Sequence, residues 1–147
     1  MRERVPEAKL WLVGNAPPAS LAALAGEHVT VTGRVPDVRP YLARAAVFVS
    51  PLRLGAGIKN KLLEALAMGC PVVATPLSVD GIDVADGREA LIGDGDALVE
   101  ATVRALQDAD LRRALSENGR ALVEARYSWM RVAELYETLY AAIQSGR

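Results

Sequence analysis

The chain has 147 residues, a length suited to one domain, and is 51% hydrophobic and 24% charged, which excludes a globally disordered chain. Aromatics make up only 5%, so the core must be aliphatic. Seventeen basic residues against eighteen acidic ones leave a net charge of -1, and bulk charge therefore gives no reason to expect nucleic acid or an anionic membrane as partner.

In chain order, Lys9 to Val13 is an apolar run closed by Gly14-Asn15 and Pro17-Pro18, and reads as a buried strand and a loop. Ser20 is placed to cap a short helix that stops at Gly26. Val29 to Thr32 is a β-branched strand ended by Gly33. Asp37 to Ala45 reads as a short helix, and Ala46 to Ser50 as an apolar strand stopped by Pro51. Lys59 to Met68 is helical by composition, with Gly69 as its stop. Pro71 to Thr75 is another buried strand, followed by loops and a brief strand at Ala90 to Ile92. Beyond residue 95 the pattern is helical. Asp96 is placed to cap a helix through Gln107, Asp110 another through Arg126, and Ser128 a third. The stripe of Trp129, Tyr136 and Tyr140 has helical spacing and is expected to pack against the sheet.

Strands alternating with helical segments predict βαβ units, and continuous apolar strands predict a sheet covered on both faces. The expected fold is α/β: a doubly wound parallel sheet in three layers with a C-terminal helical tail. It forms one domain over residues 1–147, sheet-rich over 1–95 and helical over 96–147. The lone cysteine, Cys70, has no partner for an internal disulfide, which suits a reducing, cytoplasmic setting. No apolar run approaches the roughly 18 residues of a membrane span. Met1 to Pro6 is charged without an apolar stretch behind it, so no signal peptide is expected.

Ligands of open α/β sheets bind beyond the carboxyl ends of the strands. The turn after the 46–50 strand, Pro51 to Lys61, is the richest in chemistry. Gly55 and Gly57 allow a tight turn and close backbone approach. A helix starts directly after, and its first amides are free to face an anion. Lys59 and Lys61 sit at that helix start, where cations oppose the macrodipole by roughly 0.3–1 kcal/mol each. Such a local conflict is typical of functional sites. A bound phosphate would offset it, with Arg53 adding a planar donor fork. The alternative is a plain turn with solvated lysines. Glu64 follows Lys61 by three residues. It is either the partner of a surface pair or a carboxylate that accepts hydrogen bonds from sugar hydroxyls. Asn60 stands where a dinucleotide fingerprint needs its third glycine, and no Walker loop is present. His28 is the only histidine, and the acidic residues of the 80–96 loops fit no calcium loop, so no metal is expected.

The run Pro51 to Thr75, P-L-R-x-G-x-G-I-K-x-K-x-L-E-A-x-A-M-G-x-P-V-V-A-T, resembles the C-terminal donor-binding half of the group 1 glycosyltransferases. These are retaining enzymes of the GT-B fold in glycosyltransferase family 4. Leu10 to Gly14, Val29 to Leu42 and Asp80-Gly81 with Asp86-Gly87 extend the likeness over most of the chain. The resemblance implies a Rossmann-like domain that binds a UDP- or GDP-type sugar and transfers a hexosyl group to a glycan or lipid-linked acceptor, as in polysaccharide biosynthesis. It implies that Gly55, Gly57, Ile58, Lys59, Lys61 and Arg53 hold the donor diphosphate and Glu64 its ribose. Arg34 and Val35 would lie near the base. No catalytic residue is assigned, and no metal or cofactor is required. Ala56 stands where the first glutamate of the family's E-x7-E motif would fall. The N-terminal acceptor domain and the first strand–helix unit have no counterpart, with Met1 to Pro6 read as the end of that helix. The partners implied are a nucleotide sugar and either the missing domain or another chain. A non-catalytic module that self-associates, or completes its sheet with a second chain, is the competing reading.

Overall fold

The structure, a computed structural model, describes residues 3–145. Five strands precede three long helices. The elements are β1 (Leu10–Val13), α1 (Ala19–Ala22), β2 (Val29–Gly33), α2 (Arg39–Arg44), β3 (Phe48–Ser50) and α3 (Asn60–Ala67). They continue as β4 (Val72–Ala74), α4 (Pro76–Val79), β5 (Leu91–Ile92), α5 (Asp96–Gln107), α6 (Ala109–Arg126) and α7 (Trp129–Ser145).

Every ladder between these strands is parallel, and helices flank them, as the alternating pattern predicts. The strands form two sheets, β1-β2 and β3-β4-β5. In the first, Leu10 lies opposite Val29 and Leu12 opposite Val31. In the second, Phe48 faces Val72 and Val73 faces Leu91. β4 is the centre of the larger sheet, and Val72, Val73 and Ala74 are fully buried. Successive side chains point to opposite faces of a strand. Val72 and Ala74 accordingly join Leu62, Ala65 and Leu66 of α3 and Val123 of α6 in one core. Val73 joins Leu91, Ala105 of α5 and Leu115 of α6 in another. That is the three-layer arrangement, with α6 long enough to serve both cores. Burial of each such leucine or valine stabilises by about 1.5–3 kcal/mol.

Several local expectations are corrected. β1 is not buried: Leu10 is 41% and Trp11 50% exposed, because β1 is laddered to β2 alone. Tyr41 of α2 covers Trp11 in part, with ring centroids 5.8 Å apart. Ser20 lies within α1, whose N-cap is Pro18. Asp37 accepts the Arg39 amide at 2.9 Å ahead of α2 rather than starting the helix. The cap of α6 is Asp108, which accepts from the Leu111 amide at 2.9 Å, and Asp110 sits in the first turn. The same corner is closed from the other side. The Arg112 guanidinium donates to the carbonyls of Ala105 and Leu106, both at 2.7 Å, and so satisfies the end of α5. Residues 3–4 and 6–7 form turns, not a helix, and Met1 and Arg2 lie outside the described residues.

The largest correction concerns α7. Ser128 does cap it, its Oγ accepting from the Arg131 amide at 3.3 Å. The aromatic stripe, however, does not pack on the sheet. Trp129 is 88% exposed, and Met130, Tyr136, Leu139, Tyr140 and Ile143 are all exposed as well. Tyr136 and Tyr140 lie against each other, with ring centroids 6.3 Å apart.

Candidate functional site

The loop from Pro51 to Lys59 leaves the carboxyl end of β3 and enters α3. Two of its glycines hold backbone angles that other residues rarely adopt: Gly55 at φ 143° and Gly57 at φ 71°. Gly55 also leaves room for the Lys59 stem, whose Cε would lie 3.8 Å from a Cβ at that position. Lys59 is the N-cap of α3 but supplies no side-chain cap. Its ammonium folds back and donates to the Gly57 carbonyl. The amides from Ala56 to Lys61 make no hydrogen bond within the described residues. The loop thus presents a run of free donors at a helix start, with the positive end of the helix behind them.

Among the described residues, Arg53, Lys59 and Lys61 pair with no carboxylate. Glu64 is exposed one turn into α3, and no Lys61–Glu64 pair forms. Ile58 is half exposed, and its Cγ1 would lie 3.4 Å from a Cβ at Gly81. The 51–59 loop therefore rests on the β4–β5 connection. Lys61 and Glu64 belong to the same helix turn as the loop. Arg34 and Val35 follow β2 in the other sheet, and no hydrogen bond or ion pair among the described residues joins them to the loop.

A cleft of about 420 Å³ opens beside the loop at the carboxyl ends of the larger sheet, lined by Leu52, Arg53, Thr75, Pro76, Asp94 and Gly95 among others. A wider one of about 760 Å³ lies elsewhere, between β5, α5 and Arg4. It contains none of the loop residues. The smaller cleft is where parallel sheets place ligands.

Sequence reasoning left out the floor of this cleft. Thr75 caps α4, its Oγ1 accepting from the Ser78 amide at 3.3 Å, and Pro76 takes the first helical position. Threonine followed by proline is a helix-start signal that could have been read. Cys70 is buried against Ala45, and burial pushes its thiol up to about 11. His28 is far from the loop in sequence and carries a buried Nδ1 without a partner among the described residues. No group of three histidine, cysteine or acidic side chains among the described residues is placed to hold a metal ion. No helix among them is long and apolar enough to cross a membrane.

The chain is similar in sequence and fold to known proteins. The sequence profile described as "Glycosyl transferases group 1" matches residues 1–108. No curated protein sequence matches. Among solved structures, sucrose-phosphate synthase from Thermosynechococcus elongatus is similar over 95% of this chain and 40% of its own, with 28% identity and a TM-score of 0.78. WaaG, a glycosyltransferase of lipopolysaccharide biosynthesis, is similar over 80% of this chain and 34% of its own, with 27% identity and a TM-score of 0.69. Anabaena Alr3699/HepE in complex with UDP covers 92% of this chain and 42% of its own, at 19% identity and a TM-score of 0.76. At that identity the last likeness speaks for the fold alone. The chain spans well under half the length of each. With its family profile matched over most of its length and its fold shared with these proteins, the chain belongs to the group 1 glycosyltransferases.

Proposed function

We propose that the chain is the donor-binding part of a retaining glycosyltransferase. It holds a UDP- or GDP-sugar whose hexosyl group passes to a glycan or lipid-linked acceptor. The observation that carries this reading is the loop of free amides bordered by the uncompensated cations Arg53, Lys59 and Lys61. A diphosphate offers those groups the negative charge that the helix start favours. Gly55, Gly57 and Ile58 would give amides to it, and Glu64 would accept from the ribose hydroxyls. Arg34 and Val35 are proposed for the base side. As the glycosidic bond to the donor breaks, charge builds on the departing diphosphate, and fixed cations and amides stabilise it without reorganising. The related Anabaena structures were solved with UDP and with UDP-glucose, which supports a nucleotide sugar as ligand. Alone, the chain would bind nucleotide and transfer little, because the acceptor must be held against the donor. A single free cysteine suits work in a reducing compartment.

The test is a titration of UDP and of GDP into the wild type and Lys61→Ala. The expected outcome is saturable, salt-sensitive binding that the substitution weakens by about tenfold, as for loss of one charge-assisted hydrogen bond. Absence of saturable binding by the wild type refutes the reading for this chain.

A second reading, a module that self-associates or completes its sheet with another chain, is favoured by two observations. The strands fall into two separate sheets with open edges, and α7 carries an exposed apolar stripe.

A further inference from the structure

At the carboxyl ends of β3 and β4, three hydroxyls are buried together: Ser50, Thr75 and Ser78. Ser78 Oγ donates to the Ser50 carbonyl at 2.8 Å. Ser50 Oγ donates to Ser78 Oγ at 2.9 Å. Thr75 Oγ1 donates to the Leu52 carbonyl at 2.8 Å. Each hydroxyl has one proton to give, and these three bonds use all three. Thr75 Oγ1 also lies 2.9 Å from Ser78 Oγ, a contact that becomes a hydrogen bond only when one of the two hydroxyls turns its proton from its carbonyl to the other. The Thr75 amide adds a bond to the Ser50 carbonyl at 3.0 Å.

The arrangement does something a plain strand end would not. The β3–β4 register runs only to Ser50 opposite Ala74, and Pro51 has no N–H with which to prolong it. Without further contacts, the chain would be free from Pro51 onward. Instead the Thr75 hydroxyl grips the Leu52 carbonyl, two residues past the last pair and one residue before Arg53. Burial strengthens this bond and makes its loss costly.

We infer that Ser50, Thr75 and Ser78 form a hydroxyl clamp that positions Arg53 and the glycine loop, with Thr75 as the positioning residue. This inference rests on the donor-binding reading for its effect on ligand affinity, but not for its effect on the loop. Thr75 borders the cleft, but its hydroxyl proton is given to the Leu52 carbonyl. It acts by setting where the loop begins, so that Arg53 and the free amides are already arranged when an anion arrives. Preorganisation of this kind lowers the ordering cost of binding.

The experiment compares wild type, Thr75→Val, Thr75→Ser and a control, Val103→Ala. Val103 is fully buried in α5, and its truncation lowers global stability without touching the clamp. Two quantities are read on the full chain without and with UDP: the rate of the tryptic cut after Arg53, and the dissociation constant for UDP. Thr75→Val keeps the shape and removes the hydroxyl. It should speed the cut and weaken UDP binding by about tenfold each, the scale of one lost hydrogen bond. Thr75→Ser restores the hydroxyl and should return both to near the wild-type values. Val103→Ala should change neither beyond what its melting temperature accounts for. Should Thr75→Val not fold, Ser78→Ala, which removes one of the two donors to the Ser50 carbonyl and the acceptor of the Ser50 hydroxyl, is read in its place and should move both quantities in the same direction. A cut rate for Thr75→Val no faster than for Val103→Ala at matched stability overturns the clamp. If wild type binds no UDP while the cut still accelerates in Thr75→Val, the clamp stands and the donor-binding reading falls.

Discussion

Gly93 and Ala97 meet backbone to backbone where β5 turns into α5. A Cβ at Gly93 would lie 2.8 Å from the Ala97 carbonyl carbon and 2.9 Å from the Ala97 oxygen and the Leu98 nitrogen. Gly93 is buried, and its amide bonds to the Ala74 carbonyl at 3.0 Å. Neither side has a flexible end that can swing away.

Gly93→Ala should therefore destabilise by about 1–3 kcal/mol, as overpacking against rigid atoms does. Gly119→Ala is the instructive contrast. Its Cβ would come within 2.6 Å of Leu66 Cδ2, the end of a side chain, while the nearest backbone atom, the Glu89 carbonyl oxygen, stands off at 3.3 Å. Within a helix, alanine also regains about 0.8–1 kcal/mol over glycine. Urea unfolding should place Gly93→Ala well below Gly119→Ala. The reverse order would mean that the β5–α5 corner can shift.

Cys70 gives a pH dependence. Its thiol is buried, and that burial raises its pKa from 9.0 to about 11, against a smaller lowering by a backbone hydrogen bond from Phe48. The folded state thus holds the proton more tightly than the unfolded one. The contribution is fully present below pH 9 and is lost as pH rises from 9 towards 11. The loss should reach about 2–3 kcal/mol at most, from about 1.4 kcal/mol per unit. Denaturant midpoints measured from pH 8 to 11 should fall more steeply for wild type than for Cys70→Ala. Parallel curves would assign the alkaline loss to other groups.

Gly57→Ala separates strain from contact. Nothing lies within 4 Å of a Cβ at Gly57, but its φ is 71°. The left-handed conformation costs a non-glycine residue roughly 1–2 kcal/mol. An exposed loop can escape that cost by changing shape, so global stability should hardly move. UDP affinity should drop by about tenfold or more, the same energy expressed as binding. Calorimetric titration alongside thermal melting checks both halves. A fall in melting temperature with unchanged affinity would show that the loop conformation matters to the fold and not to the ligand.

The exposed stripe of α7 makes a prediction for the second reading. Tyr136, Leu139, Tyr140 and Ile143 share one face and are all exposed. Patches of this kind drive association. Sedimentation should show a species that grows with concentration, and Leu139→Glu with Tyr140→Glu should return it to the monomer. A strictly monomeric wild type at high concentration would remove self-association from consideration.

The long elements were legible because periodicity and caps act over a few residues. α3, α5 and α6 lie where the sequence places them to within two residues at either end. The cap of α6 was misplaced by two positions because Asp108 and Asp110 are the same residue type, and only the turn geometry chooses between them. α4 was missed because it is a single turn stabilised by Thr75 and by burial of Ser78. The exposures of β1 and α7 were misread for a deeper reason. An apolar strand or stripe states that a surface should be covered, but not by what. The site was legible as a set of residues: the glycines, the lysines and the helix start. Its clamp was not, since the Thr75–Leu52 bond spans 23 positions and two strands.

α2 has two faces, and their difference bears on how the molecule unfolds. Tyr41 faces Trp11 of the smaller sheet, while Leu42 and Ala45 pack against the core of the larger one. No ladder joins the two sheets among the described residues. Cooperative unfolding requires that loosening one part weakens the other. Here part of that message passes through one six-residue helix, and part through the segment ahead of β1, where Gln107 Nε2 donates to the Arg4 carbonyl at 3.3 Å. The β1–β2 unit can therefore open while β4 stays closed, as a separate unit of exchange. Amide protons of Leu12 and Val31 would be lost to solvent long before that of Val73. Events at the smaller sheet would then reach the 51–61 loop in part by way of α2.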